Sequence, residues 1–156
     1  MHLIPRPKSV INHEGEFFIE RDTEIILSSE LSFEDLNLAI MIQKEIERVL
    51  DFKLNINKLF MDKKYSNSII LREFKFENEE EYKIEIKENQ VIIEGFGAGL
   101  FYGCQSFRQL VREFGACIPN LTIEDSPYFK YRGFYHDVTR GMVPTLDTLK
   151  SLVDKA

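Results

Sequence analysis

The stretch Tyr82–Gly103, YKIEIKENQVIIEGFGAGLFYG, holds two periodicities in succession. Tyr82, Ile84 and Ile86 alternate with Lys83, Glu85 and Lys87; a turn sits near Asn89, and Val91–Ile93 resume the apolar run. Alternation on both sides of a polar turn predicts a β-hairpin with one buried face. From about Gly99 the spacing becomes helical. Leu100, Cys104, Phe107, Val111 and Phe114 form one stripe, and Gly115 is placed to end the helix. A hairpin running into an amphipathic helix predicts a sheet with helices laid on it.

Working outward, the same reading extends to the rest of the chain. "LIPRPKSV" holds two prolines and reads as an extended edge or lead-in, because proline cannot donate to a central ladder. Short β-rich runs follow at Phe17–Ile19 and Glu24–Leu27, and others at Leu54–Asn57 and Ser68–Leu71. Ser32 is placed to cap a helix running to about Leu50, with Glu34 and Asp35 in its first turn. In that helix Leu38, Met41, Ile42, Ile46 and Val49 make the apolar face, and Lys44, Glu45, Glu47 and Arg48 take much of the other. "ACIPNLTIEDSP" supplies the last β-prone segment before Pro127. The expected fold is α+β, a two-layer sandwich of a mostly antiparallel sheet with two helices on one face.

The totals exclude several function classes. A net charge of −6, with 20 Lys and Arg scattered among 26 acids, leaves no basic patch for nucleic acid or an anionic membrane surface. No apolar run reaches the ~20 residues that cross a bilayer. The first residues lack a signal-peptide pattern, so the expected location is cytoplasmic, with secretion of a longer parent left open. Cys104 and Cys117 form neither a disulfide framework nor a metal pair, and Cys104 reads as a small core residue. No cofactor and no metal ligand set is expected.

Gly95, Gly97 and Gly99 lie between strand and helix, where phosphate-binding turns occur. Their spacing is not G-x-G-x-x-G, and the strand before them belongs to a hairpin, so a tight turn and a close helix-to-sheet approach is the better reading. The run Glu79–Glu81 reads as a solvated loop. His2 and His13 lack partners at ligand spacing. His136 and Asp137 are neighbours in a short strand and so point to opposite faces.

Behind Pro127 the character changes. "YRGFYHDV" reads as a strand, "TRGMVP" as a loop and "TLDTLKSLVDKA" as a helix with Thr145 at its N-cap and Leu146, Leu149, Leu152 and Val153 along one side. A strand, loop and helix starting afresh predicts the first βα unit of another domain. The expected division is residues 1–126 and 127–156.

Two segments, "GLFYGCQSFRQLV" (Gly99–Val111) and "IEDSPYFKYRGFYHDVTRGMVPTLDTLKSLVDKA" (Ile123–Ala156), resemble the family 20 glycoside hydrolases, the β-N-acetylhexosaminidases. In that family an α+β accessory domain precedes a (β/α)8 catalytic barrel. Its second helix is similar to "GLFYGLQTLRQL" and its first barrel strand to "YRGxxxDVSRxxxP". The resemblance implies that residues 127–156 begin a TIM barrel, truncated here after its first βα unit.

The two arginines then separate. Arg132 enters the strand and Arg140 leaves it, and eight residues at ~3.3 Å each span up to ~26 Å, too far to line one sugar subsite together. Active sites of such barrels lie at the C-terminal strand ends, which is Arg140's end. The resemblance implies that Arg140 grips hydroxyls of a terminal N-acetylhexosamine, for which a fixed fork of donors is well suited. Arg132 is expected to be structural and Asp137 to be a buried support. Where many relatives carry a histidine and aromatics, this chain has Gly141, Met142 and Val143, which leaves substrate preference open.

The implied chemistry is retaining and substrate-assisted. A glutamic acid protonates the glycosidic oxygen while the substrate's own acetamido carbonyl attacks the anomeric carbon, and an aspartate orients that acetamido group. The Asp-Glu pair that does this belongs to a later barrel strand, so the chain itself is expected to be inactive. Its implied partners are an N-acetylhexosamine-containing glycan, through the full-length enzyme, and the remaining barrel in cis. A stand-alone carbohydrate-binding or scaffold module, or the accessory domain of an O-linked N-acetylglucosaminidase or α-glucuronidase, stays open as an alternative.

Overall fold

The structure is a computed structural model. It describes residues 2–28, 30–31, 35–58, 65–133, 135, 137, 141 and 143–153. The strands are β1 (Ser9–Phe18), β2 (Glu24–Leu27), β3 (Asn55–Lys58), β4 (Ser68–Glu73), β5 (Tyr82–Lys87), β6 (Gln90–Gly95) and β7 (Cys117–Asp125); the helices are α1 (Leu36–Leu50), α2 (Ala98–Phe114) and α3 (Leu146–Val153). The fold is α+β, and one sheet of seven strands runs in the order β1-β7-β5-β6-β4-β2-β3.

The sheet is mixed, which corrects the expectation of a mostly antiparallel one. β1, β7, β5 and β6 pair antiparallel, whereas β6, β4, β2 and β3 pair parallel. The cause is the connection. A two-residue turn can only return β6 antiparallel to β5, but α1 is a crossover long enough to bring β3 back parallel to β2. Alternation within a strand carries no information about the direction of its neighbour.

Strand alternation becomes a core through register. Leu27, Leu71, Ile93, Ile84 and Ile123 lie opposite one another across five strands, and Ile25, Ile69, Val91, Ile86 and Leu121 form the next row. All ten are buried. Onto these rows α1 lays Ala39, Ile42 and Ile46, and α2 lays Leu100, Cys104, Phe107, Leu110 and Val111. Each such Ile, Leu or Phe taken fully from water stabilises the fold by about 1.5–3 kcal/mol. The opposite sheet face carries Lys83, Glu85, Arg72 and Glu94, with ion pairs Lys83–Glu124 and Arg72–Glu94 running across strands.

Glycine sets how closely α2 approaches the sheet. A Cβ on Gly103 would stand 2.8 Å from Ile93 Cγ2, and one on Gly99 would stand 2.2 Å from the Glu81 carbonyl oxygen. A Cβ on Gly95 would likewise stand 2.5 Å from Leu100 N, so the close helix-to-sheet approach is what these glycines permit.

β1 runs well beyond the expected Phe17–Ile19. It is an edge strand with a register break between Asn12 and Glu16, and most of its side chains are exposed. An edge strand with one partner and little burial needs no apolar alternation, so its sequence gives no β signal. The expected cap Ser32 lies outside the described residues. Helix α1 begins after Asp35, which makes no side-chain cap, and ends at Asp51 in the left-handed region (φ 59°).

Three residues of the expected barrel strand, 134, 136 and 138, lie outside the described residues. The described residues among 131–137 are exposed and carry no strand pairing. A parallel barrel strand takes its hydrogen bonds from neighbours on both sides, which in a (β/α)8 barrel are other barrel strands. The helix behind it does form: Thr148 N–H donates to Thr145 Oγ1 at 3.3 Å, so Thr145 is the N-cap of α3. None of the residues of α3 is buried.

Candidate functional site

Arg140, the residue expected to bind substrate, lies outside the described residues, as does His136. Asp137, expected to be a buried support within a barrel, is exposed in this chain. His13 Nε2 pairs with Thr122 Oγ1 at 2.9 Å. Among the described residues no group of three His, Cys, Asp or Glu side chains is arranged to hold a metal ion.

What the structure does bring together is the place where the chain leaves the sheet. β7 ends at Asp125, beside the first residue of β5, Tyr82, and near the last of β6, Gly95. Tyr82 is almost fully buried; its hydroxyl donates to Asp125 Oδ2 at 3.2 Å and shares a 2.7 Å hydrogen bond with Ser106 of α2. Burial pushes the Tyr82 phenol well above its ordinary range. Lys8 N–H donates to Asp125 Oδ1 at 3.1 Å, and Lys8 Nζ donates to Ser126 at 2.6 Å. The N-terminal segment is strapped to the same corner, because the Gln109 side-chain amide both donates to and accepts from the Ile4 backbone. Between the strap, α2 and residues 126–132 lies a groove of about 510 Å³ walled by Pro5, Tyr102, Tyr128 and Phe129.

Arg132 is tied into this corner. Its Nη2 donates to Glu80 Oε1 at 2.5 Å and to the Tyr102 hydroxyl at 2.9 Å, while Nη1 donates to its own Phe129 carbonyl at 2.5 Å. The guanidinium holds the Glu80 carboxyl below the usual carboxylate range. Glu80 was expected in a solvated charge run. It is half-buried instead, with Asn78 Oδ1 accepting from its backbone N–H at 3.0 Å.

A second charge cluster joins the helices. Glu45, expected on the solvent face of α1, is buried at 2% exposure and receives Arg48, Arg108 and Arg112. Hydrogen bonds from Arg112 outweigh burial, and with Arg48 and Arg108 they lower its pKa from 4.5 to about 2. Within α1 alone Glu45 looks like any surface acid. The signal was Arg108 and Arg112 spaced i,i+4 on α2, a basic pair with no acid of its own helix between them.

These features define an α+β domain of mixed sheet and paired helices, with its chain exit knotted at one corner. The family profile described as Glycosyl hydrolase family 20, domain 2 matches residues 1–126, and the chain belongs to that family. It is 25% identical to a beta-hexosaminidase of Vibrio furnissii over 158 aligned residues, which cover 99% of this chain and 24% of the relative. It is 43% identical to N,N'-diacetylchitobiase of Vibrio harveyi over 61 residues, 38% of this chain and 7% of that protein. Among solved structures it is similar to Streptomyces plicatus N-acetyl-beta-hexosaminidase in complex with Thio-NAglucal, with a TM-score of 0.76 and 25% identity over 96% of this chain and 30% of that one. The chain thus spans about a quarter of the curated relative that it matches end to end.

Proposed function

We propose that the chain is the N-terminal part of a β-N-acetylhexosaminidase, which hydrolyses terminal non-reducing N-acetylhexosamine residues by a retaining, substrate-assisted mechanism. Residues 1–126 are the accessory domain, and residues 127–156 begin the (β/α)8 catalytic barrel. The supporting observation is the succession of two signals: a family 20 domain over residues 1–126, then the pattern Tyr131-Arg132-Gly133 … Asp137-Val138-Thr139-Arg140 immediately behind it.

In this reading the remaining barrel strands, in cis, pair with Tyr131–Val138 and bury the exposed apolar residues Tyr131, Tyr135, Leu146 and Val153. A barrel of this kind takes about 250 residues. Arg140 then stands at the C-terminal end of the first barrel strand and holds two adjacent sugar hydroxyls. The catalytic carboxyls come from a later strand, so the present chain hydrolyses nothing alone.

The test is release of nitrophenol from an aryl N-acetyl-β-glucosaminide by the full-length parent and, separately, by this chain. Turnover is expected from the parent only. A parent without turnover overturns the hydrolase assignment, and turnover by the 156-residue chain overturns its inactivity. Arg140→Lys in the parent should raise KM roughly ten-fold or more, since it keeps the charge and loses the fork.

A further inference from the structure

We infer that Arg132, received by Glu80 and Tyr102, is a positioning latch that fixes the direction in which residues 127–133 leave the sandwich. The inference rests on the reading that a further domain follows this segment, because only then does the direction of exit matter.

The receiving site is held by contacts that do not involve Arg132. Gly99 has no Cβ, so the Glu80–Glu81 backbone can press against the first turn of α2; a methyl there would stand 2.2 Å from the Glu81 carbonyl oxygen. Asn78 closes the turn beneath, accepting from Glu80 N–H with its side chain and from Glu81 N–H with its carbonyl, both at 3.0 Å. That fixes the Glu80 carboxylate beside Tyr102, which lies one turn along α2 from Gly99 and donates to Glu80 Oε1 at 3.2 Å. A carboxylate and a phenol oxygen now face outward together. The glycine-rich turn and the acidic run serve one structural purpose.

Arg132 meets four acceptor atoms on three residues. It bonds both oxygens of Glu80, the Tyr102 hydroxyl, and Phe129 O in its own segment, and its guanidinium carbon lies 5.8 Å from the Tyr102 ring centroid. One guanidinium therefore closes a local turn over residues 129–132 and binds that turn to the domain. A lysine, with its single ammonium, could not span the same acceptors in fixed geometry. The neighbouring Tyr128, Phe129 and Tyr131 are 75%, 74% and 84% exposed, so packing supplies little of the hold. The further contact on this segment, Lys8 with Ser126 and over the Tyr128 ring, anchors its start and leaves the direction beyond to Arg132.

The test is limited chymotryptic cleavage of the 156-residue chain, quantified by mass spectrometry at Tyr128, Phe129 and Tyr131, with cleavage after exposed Phe74 as internal reference. Arg132→Gln and Glu80→Gln should each raise cleavage at the three exit sites roughly three- to five-fold, the ratio expected of a partly exposed ion pair at the strong end of its range. The double reversal Arg132→Glu with Glu80→Arg should recover most of the protection. No change in either single variant overturns the latch, as does a rise in Arg132→Gln alone. A parallel rise at Phe74 overturns it too, because the effect would then be general loosening. None of these outcomes depends on hydrolytic activity, so failure of the latch and failure of the hydrolase reading are separately visible.

Discussion

Arg112 Nη2 lies 2.6 Å from Glu45 Oε2, joining α2 to α1 across a carboxylate that three arginines share. Glu45 is 2% exposed while the arginines range from 22% to 62%, so the charge is removed from water at one end only. Removing the carboxylate leaves two or three guanidinium groups crowded at the seam. Glu45→Gln should therefore destabilise the chain by about 1–3 kcal/mol, less than the loss of one partner of a fully buried pair because the arginines remain solvated. A shift in the urea midpoint at unchanged slope would show it.

The same carboxylate gives a pH signature. Its folded pKa of about 2 lies below its ordinary 4.5, so its contribution is fully present above pH 4.5 and is lost as pH falls from 4.5 toward 2. Wild-type stability should fall more steeply across that window than stability of Glu45→Gln. Parallel curves would contradict the three-arginine arrangement.

Substitutions at the two close-approach glycines should differ in severity. At Gly103 a new methyl meets a side-chain atom, Ile93 Cγ2, at 2.8 Å, whereas at Gly99 it meets backbone at 2.2 Å. Gly103→Ala is expected to cost about 1–3 kcal/mol, and Gly99→Ala more, through displacement of the 78–81 turn. Thermal melts of both variants decide the order.

Tyr82→Phe removes a hydroxyl that donates to Asp125 and pairs with Ser106 in a buried corner. The loss should be about 1–2 kcal/mol, because both partners are left short of a hydrogen bond away from bulk water. Equilibrium unfolding of the variant measures it.

The sequence showed what depends on local pattern and hid what depends on neighbours. The Tyr82–Gly95 hairpin was legible because apolar alternation reports a buried face directly, and Glu24–Leu27 because it is a short β-rich apolar run. The α2 stripe was legible for the same reason. β1 was cut short because an exposed edge strand has no such pattern, and three parallel pairings were hidden because direction is set by connections. Glu45 and Glu80 looked like surface acids, since the α2 arginines that hold Glu45 are 63 and 67 positions further along the chain and Arg132 is 52 beyond Glu80. Arg132 was read as structural from its place at the entry of a strand. In the structure its contacts are with Glu80, Tyr102 and Phe129.

The central claim is tested most directly by comparing the full-length parent on two aryl glycosides that differ only at C2, one with an acetamido group and one with a hydroxyl. If the substrate's own acetamido carbonyl is the nucleophile, the N-acetyl-β-glucosaminide is hydrolysed with retention of configuration and the β-glucoside is not turned over. Comparable hydrolysis of both would contradict the account.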